Sequence, residues 1–551
     1  MIFTNKRIPK LENIPKLEVH NNEVEWVKNF NYLGLKIDAP TLTWSPHIKD
    51  LCSEGLKRLN VLRAVAGSSW GASREILLRL HTQYIRSKIT YGSAAFSSAS
   101  KTNIGKLETI QNAALRVALG ARKTSPVKAL QVDANIPPLS EYIKELSCRY
   151  YLRIKEQQDT HPMMHKLIED PSVNNRIWTE TVIKKPLVKR AEDTMRWWGL
   201  DKNVNTTTTK FFKKKPWLSK KIQLHPNLIK VVTKEDSEEE LRAIALETIK
   251  TRYSNHLCIY TDGSKFKDAT SAAMVIPGIP HEESWRLDYG ETRSIMMAEM
   301  YAIMKSMTWL AINSPLLDSN EAVILTDSRS GIEALNSPNP GNQSSLSNTI
   351  INIAETLADH ISITIQWLPA HVGIDGNERA DKLAKEANQK QILTSYPLER
   401  KEVKRLLNKA MKENWQRIYD TSKHRLHIGQ IKPKIENWAW VLLGARSLET
   451  VMTRLRIGHV ELNVHLHRFK MKDDPNCQHC NTPETVSHYI LYCRRYCIQR
   501  QRLKQELRIA GVHALELEIL LGGGSFTLKK QKAVTKAVAS FIKETGRFSH
   551  A

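Results

Sequence analysis

Four carboxylates occupy positions that solubility does not explain. Asp262 follows the apolar run Cys258–Tyr260 and Thr261, and Asp327 follows Val323–Leu325 and Thr326. Each ends a strand-like segment in the same local text: apolar run, Thr, Asp, small residue. Two strands ending in aspartate can set both carboxylates at one edge of a sheet. Glu299 falls in a helical segment, where at about 100° per residue Ile295, Met296, Ala302 and Ile303 surround it. A glutamate on an apolar face loses hydration and demands a cation or a special role. Asp381 is the fourth, ten residues after His371 in "PAHVGIDGNERADKLA". Any one aspartate alone reads as a turn former or a helix-start acid. Together the four are a hard-oxygen set that selects Mg²⁺ or Mn²⁺. Two such ions, about 4 Å apart, activate water and stabilise the leaving oxygen in phosphodiester cleavage.

The surrounding elements suit that task. "HLCIYTDGSK", "TSAAMVIPG" and "SWRLDYG" read as three consecutive strands. A long helix is predicted from about Arg293 to Ile312, then strand "AVILTD", a helix from Ser328, a helix near Leu346–His360, strand "ITIQWLPA" and a final helix from Asn377. Three strands followed by alternating helices and strands make a mixed-sheet α/β domain. Both flanks are mostly helical. In "SREILLRLHTQYIRSKIT", Ser73 reads as an N-cap, and "IGKLETIQNAALRVALGARK" should stop at Gly120. "VNTTTTKFFKKKPWLSKKIQLHP" interleaves Phe211, Phe212 and Trp217 with lysines, which suits either a linker touching nucleic acid or a solvated one. "LLGGGSF" lacks the context of a phosphate loop and reads as a turn.

Composition narrows the partner. Eighty-two Lys and Arg against 57 Asp and Glu leave a net charge of +25 over 551 residues, the footprint of a polyanion binder. Seven cysteines are too few for a disulfide framework, and four of them fall between Cys477 and Cys497. That clustering points to metal rather than disulfide in a reducing compartment, and the basic patches suggest an intracellular protein, of nucleus or cytoplasm. No apolar run predicts a signal peptide or a membrane span.

In order along the chain, "YTDGS", "AEMYAI", "LTDSRSGIEAL" and "PAHVGIDGNERADKLA" resemble the four signature blocks of type 1 ribonuclease H. The resemblance implies a two-metal endonuclease that cuts the RNA strand of an RNA–DNA hybrid, leaving 3′-hydroxyl and 5′-phosphate ends. It implies that Asp262, Glu299, Asp327 and Asp381 hold two Mg²⁺ (or Mn²⁺), with Asp262 bridging them and Glu299 helping to position water. His371, on a loop given mobility by Gly373 and Gly376, would assist proton transfer or product release. This chain departs from the cellular pattern at "KFKDATSA", where a Gly-rich stretch is common, and at Arg329, where glutamine is common.

"CQHCNTPETVSHYILYC" gives Cys477, Cys480, His488 and Cys493 in a C-x2-C-x7-H-x4-C spacing. Three thiolates and an imidazole suit one structural Zn²⁺, with Cys497 a competing ligand, and a knuckle of this kind holds single-stranded nucleic acid. This knuckle and "RLRIGHVELNVHLHRF" resemble the tail of arthropod non-LTR retrotransposon polyproteins, and "FNYLGLKIDAPTLTWSPHIKDL" with "GASREILLRLHTQYIRSKITYG" resembles the reverse-transcriptase segment after the palm, including the thumb. A Tyr/Phe-x-Asp-Asp polymerase motif is lacking. The expected layout is a thumb-like helical remnant at 1–156, a basic linker at 157–252, the ribonuclease domain at 253–390, a helical connector at 391–470, a CCHC knuckle at 471–500 and a helical tail at 501–551. The expected function is hybrid cleavage in a truncated retroelement protein; the alternatives are another nuclease or transferase on the same fold, or an inactive relic that only binds nucleic acid.

Overall fold

The computed structural model describes residues 17–40, 42–156, 185–200, 204, 206, 222–229, 237–336, 345–357, 359–438, 443–524 and 526–549. The chain divides into two compact units. One comprises Met1–Tyr150, Ile177–Leu200 and Asn408–Ala551, the other Tyr151–Arg176 and Asp201–Leu407. Among the described residues no helix is long and apolar enough to cross a membrane. The cluster of Phe211, Phe212 and Trp217 lies outside the described residues.

The second unit is built on one sheet. Its elements in chain order are β1 (Ile222–His225), α1 (Glu238–Arg252), β2 (Leu257–Phe266), β3 (Ala269–Ile276), β4 (His281–Leu287), α2 (Ile295–Asn313), β5 (Glu321–Thr326), α3 (Arg329–Asn336), α4 (Ser345–Leu357), β6 (Ser362–Trp367), α5 (Asp375–Ala387) and β7 (Leu393–Thr394). The strands lie in the order β7-β4-β3-β2-β5-β6-β1. β2, β3 and β4 form an antiparallel meander. β5 joins β2 in parallel, β6 joins β5 and β1 joins β6, while β7 pairs in parallel with β4. This is the mixed α/β architecture the sequence pattern predicts. The sheet also recruits β1 and α1, both upstream of residue 253, where periodicity is weak.

Side chains alternate across the strands and bury both faces. Ile259, Ile324, Ile363 and Ile365 pack with α2 and α4 on one side, around Ile303, Met307 and Ile350. Tyr260, Val323 and Leu325 pack on the other, against Ala380 of α5 and Ala245 of α1. Each fully buried Ile or Leu contributes roughly 1.5–3 kcal/mol, so the edge where these strands end is held from both faces. At the start of α2, Ser294 caps the helix by accepting from the Met297 N–H, and fully buried Arg293 pairs with Asp288 at 2.6 Å and Glu402 at 3.2 Å.

The first unit is helical and drawn from both ends of the chain. As the sequence predicts, Ser73 caps helix Arg74–Leu80, and Gly120 ends helix Lys101–Leu119 in a left-handed conformation at φ 63°. There a Cβ would lie 2.3 Å from the Thr450 hydroxyl, so glycine answers both the backbone turn and the close approach of helix Arg446–Ile457. After Leu80 the predicted single helix passes through a π-helical stretch, His81–Arg86. In "LLGGGSF", Gly522 and Gly524 adopt left-handed φ, in keeping with a turn.

Arg74 ties the two ends together. Its Nη1 donates to Asp133 at 2.5 Å and to Thr453 at 3.1 Å, and its backbone N–H donates to Glu449, 375 positions away, at 2.7 Å. Arg74 is 3% and Asp133 0% exposed, so the pair has no water to replace a lost partner. Removing one member of a buried ion pair leaves an uncompensated charge and costs about 3–5 kcal/mol. Arg74→Met is therefore expected to lower the unfolding free energy read from urea melts of the full chain by that much, whereas Lys57→Ala, which breaks an exposed pair with Glu54, should leave it close to the parent value.

Candidate active site

Strand register brings two of the four carboxylates side by side. β2 and β5 run parallel with Thr261 opposite Thr326, so Asp262 and Asp327, one residue further on, sit together where β5 ends; β2 does not stop at Asp262, as the sequence pattern predicts, but runs on to Phe266 in its pairing with β3. This is the edge where open α/β sheets bind ligands. Glu299 arrives from α2, which crosses β2 at very short range. A Cβ on Gly263 would lie 2.6 Å from the Glu299 nitrogen, so only glycine admits the helix there. One oxygen from each of Asp262, Glu299 and Asp327 lies within 4.8 Å of the other two.

The three acids crowd one another with little water. Asp262 is 5% and Glu299 6% exposed. Burial, then the neighbouring charges of Asp327 and Asp381, push Asp262 up to about 7. Burial and the same kind of crowding hold Glu299 well above the usual carboxylate range, and burial also raises Asp327. The Gly263 N–H partly offsets this at both Asp262 and Glu299. Among the described residues Glu299 Oε2 is buried with no hydrogen-bond partner. An orphaned anionic oxygen beside two further carboxylates fits a hard divalent cation.

Asp381 forms an adjoining cluster. α5 begins at Asp375, two residues before the predicted start, which places Asp381 in its second turn. Its carboxylate accepts from Lys385 Nζ at 2.6 Å, and the same oxygen lies 3.9 Å from His371 Nδ1. His371, Glu378 and Asp381 form their own group within 4.8 Å. Asp381 thus stands outside the tight three-acid group, while its charge still raises Asp262, Glu299 and Asp327. His371 is 68% exposed and left-handed at φ 56°. Gly373 is likewise left-handed, at φ 75°. Gly376 has a different reason from the expected loop freedom: it is buried in the first turn of α5, and a Cβ there would lie 2.4 Å from the Tyr260 ring. Glu378 and Lys385 were not singled out from the sequence. Their signal was available in the helical spacing of three and four around Asp381.

A second candidate metal centre lies in the first unit. Cys477, Cys480, His488 and Cys493 each present a ligand atom within 4.8 Å of the others. The sulfurs of Cys477 and Cys480 lie 3.8 and 3.9 Å from that of Cys493. A tetrahedral Zn–S distance of about 2.3 Å implies edges of about 3.8 Å. Among the described residues His488 Nε2 is buried without a partner, its Nδ1 lying 3.2 Å from the Thr482 hydroxyl. Burial and its sister thiols push Cys493 up to about 12, as expected where thiolates crowd without a cation. Cys497 is exposed and stands outside the group.

The sign of the carboxylate shifts has a consequence for stability. Asp262 rises from 3.8 to about 7, so the folded chain holds a proton that the unfolded chain has lost across that window. The resulting stability is complete below pH 3.8 and is lost as pH rises through about 7. In EDTA, Asp262→Asn is therefore expected to melt higher than the parent at pH 8, the gap narrowing toward pH 5. Equal gaps at both pH values in a thermal melt would contradict this.

Residues 254–389 match the family model for RNase H. The chain is 21% identical over 160 residues to the RNA-directed DNA polymerase from mobile element jockey of Drosophila funebris, an alignment covering 29% of this chain and 16% of that protein. Among solved structures, RNase H1 from the archaeon Halobacterium salinarum shares 19% identity, with TM-score 0.19, over 24% of this chain and 96% of that one. LC11-RNase H1, isolated from compost, shares 23%, with TM-score 0.21, over 24% and 96%. The N-terminal RNase H domain of a Mycobacterium tuberculosis protein shares 17%, with TM-score 0.19, over 24% and 93%. The family match, falling on the stretch that builds this mixed sheet, makes residues 254–389 an RNase H domain, carried in a chain that shares sequence with a retrotransposon polymerase.

Proposed function

We propose that this chain hydrolyses the RNA strand of RNA–DNA hybrids where β5 ends beside Asp262 of β2. One observation carries the reading: Asp262, Glu299 and Asp327 converge within 4.8 Å, with a buried Glu299 oxygen left unpartnered, inside an RNase H family stretch. Two Mg²⁺ or Mn²⁺ ions bound there would activate a water and stabilise the leaving 3′ oxygen.

The chain's own residues supply position and charge. Asp262 and Asp327 are fixed by the register of two parallel strands, and Glu299 by the Gly263 contact. This fixity keeps the donors in place without reorganisation during reaction. Asp381 completes the acidic set from α5, balanced in this structure by Lys385. His371 stands at the exposed rim beside Asp381, placed to pass a proton at the scissile phosphate. The net charge of +25 favours the polyanionic substrate. We further propose that Cys477, Cys480, His488 and Cys493 hold one structural Zn²⁺, which fixes the segment around them for contact with single-stranded nucleic acid.

Full-length protein with a labelled hybrid and Mg²⁺ is expected to cut only the RNA strand, leaving 3′-hydroxyl and 5′-phosphate ends; duplex RNA and duplex DNA should stay intact. Asp262→Asn should lower cleavage at least a hundredfold while retaining hybrid binding. Binding without cutting in the parent protein, in both Mg²⁺ and Mn²⁺, would instead support a non-catalytic role. Independently, Cys477→Ser is expected to lower the zinc content of purified protein from about one per chain toward zero, and an unchanged content by elemental analysis would refute the four-ligand site.

A further inference from the structure

Away from both metal clusters, the first unit carries a groove of about 560 Å³. Arg63 at the end of helix Ser45–Ala64, Arg116 of helix Lys101–Leu119, Lys123 just beyond it, and Arg454 of helix Arg446–Ile457 all line it, together with small residues and no carboxylate. Its volume lies within the roughly 300–1,000 Å³ of small-ligand clefts.

The cations there are poorly compensated. Arg63 donates to neutral Asn60, and Arg116 to the Ser125 carbonyl, leaving its buried Nε without a partner. Among the described residues neither of these two, nor Lys123, forms an ion pair. Arg454 shares the single carboxylate of Glu461 with Arg122. Burial and the nearby charges of Arg122 and Arg446 hold Arg454 down to about 10. Cations that destabilise one another are relieved by an anion.

An aromatic ring stands at the same rim. Residues Gly67–Trp70 form a tight turn closed by the Gly67 N–H donating to the Trp70 carbonyl at 3.0 Å, beside the Ala66–Gly71 bridge. Trp70 lies against Gly67, where a Cβ would come within 2.4 Å of the ring, and Gly67 itself lines the groove. Trp70 is nevertheless 58% exposed. A displayed indole beside a cationic groove is the pairing that binds single strands, with phosphates on the cations and a base on the ring.

We propose that this groove binds single-stranded nucleic acid, with backbone phosphates on Arg63, Arg116, Lys123 and Arg454 and one base stacked on Trp70. The site is independent of the hydrolytic reading, since it shares no residue with either metal cluster.

The test is fluorescence anisotropy of a short labelled single-stranded DNA with the full chain across a salt series. Arg63→Gln with Lys123→Gln should weaken binding and flatten the slope of log K against log salt by about 1.4, at about 0.7 per phosphate contact on a single strand. Trp70→Ala should weaken binding on the order of tenfold and leave the slope unchanged. All three residues are exposed, so thermal melts matched to the parent confirm folding. Parent-like affinity and slope in both variants would overturn the site. Polyglutamate bound as tightly as DNA, together with indifference to Trp70→Ala, would overturn the nucleic-acid assignment in favour of an acidic protein surface.

Discussion

Three carboxylates within 4.8 Å of one another, two of them buried and the third half-buried, are the constraint on which the second unit is organised. Their mutual repulsion and lost hydration oppose folding, and nothing within the cluster repays them. The compensation is spread through the surrounding structure. Two apolar cores, one on each face of the sheet, hold β2 and β5 in register, and helix α2 is seated by Gly263 and anchored at its start by Arg293. Partial relief comes from the Gly263 N–H and from Lys385. A site of this kind is kept out of its electrostatic minimum by packing, which is how a protein preorganises charge for a doubly charged ligand.

The same logic explains why Lys385 pairs with Asp381 while, among the described residues, none of the other three acids has a lysine or arginine within 4.0 Å. Asp381 lies on a helix near the surface, where an ion pair four residues along is easily made and costs little desolvation. Asp262 and Glu299 lie deeper, where a lysine would itself have to be buried. The acidic set is thereby graded from a deeper trio to a rim acid with a lysine partner.

The first unit meets a different constraint. Its helices come from stretches of the chain separated by the whole RNase H unit, so covalent connectivity does little to hold them together. Arg74, Asp133, Glu449 and Thr453 close that gap with directional bonds in a buried setting, and Gly120 lets helix Arg446–Ile457 approach closely. The N-terminal helical segment and the cysteine-bearing segment therefore share one compact unit. The groove with Trp70 on its rim exists only because these two stretches meet, since Arg454 comes from one and Arg63 and Arg116 from the other.

Much of the site was legible in the amino-acid order because the relevant periods are short. An apolar run followed by Thr-Asp, written twice, and a glutamate on an apolar helix face single out Asp262, Asp327 and Glu299 without coordinates, although β2 runs past Asp262 to Phe266, and the C-x2-C-x7-H-x4-C spacing does the same for the thiols. The order of strand-like and helical segments likewise predicts the meander and the alternating strands and helices. What local pattern could not decide is distance between segments. β1 has only four residues, too few for a periodic signal, and becomes a strand because β6 offers an unpaired edge. Gly376 reads as loop freedom until Tyr260 is seen to need its space. The division of the acids into a buried trio and a lysine-balanced rim acid depends on where α5 lies against the sheet. Residue type and spacing determined which groups could do chemistry; long-range packing, whose energy resides in contacts between distant segments, decided which of them share an environment.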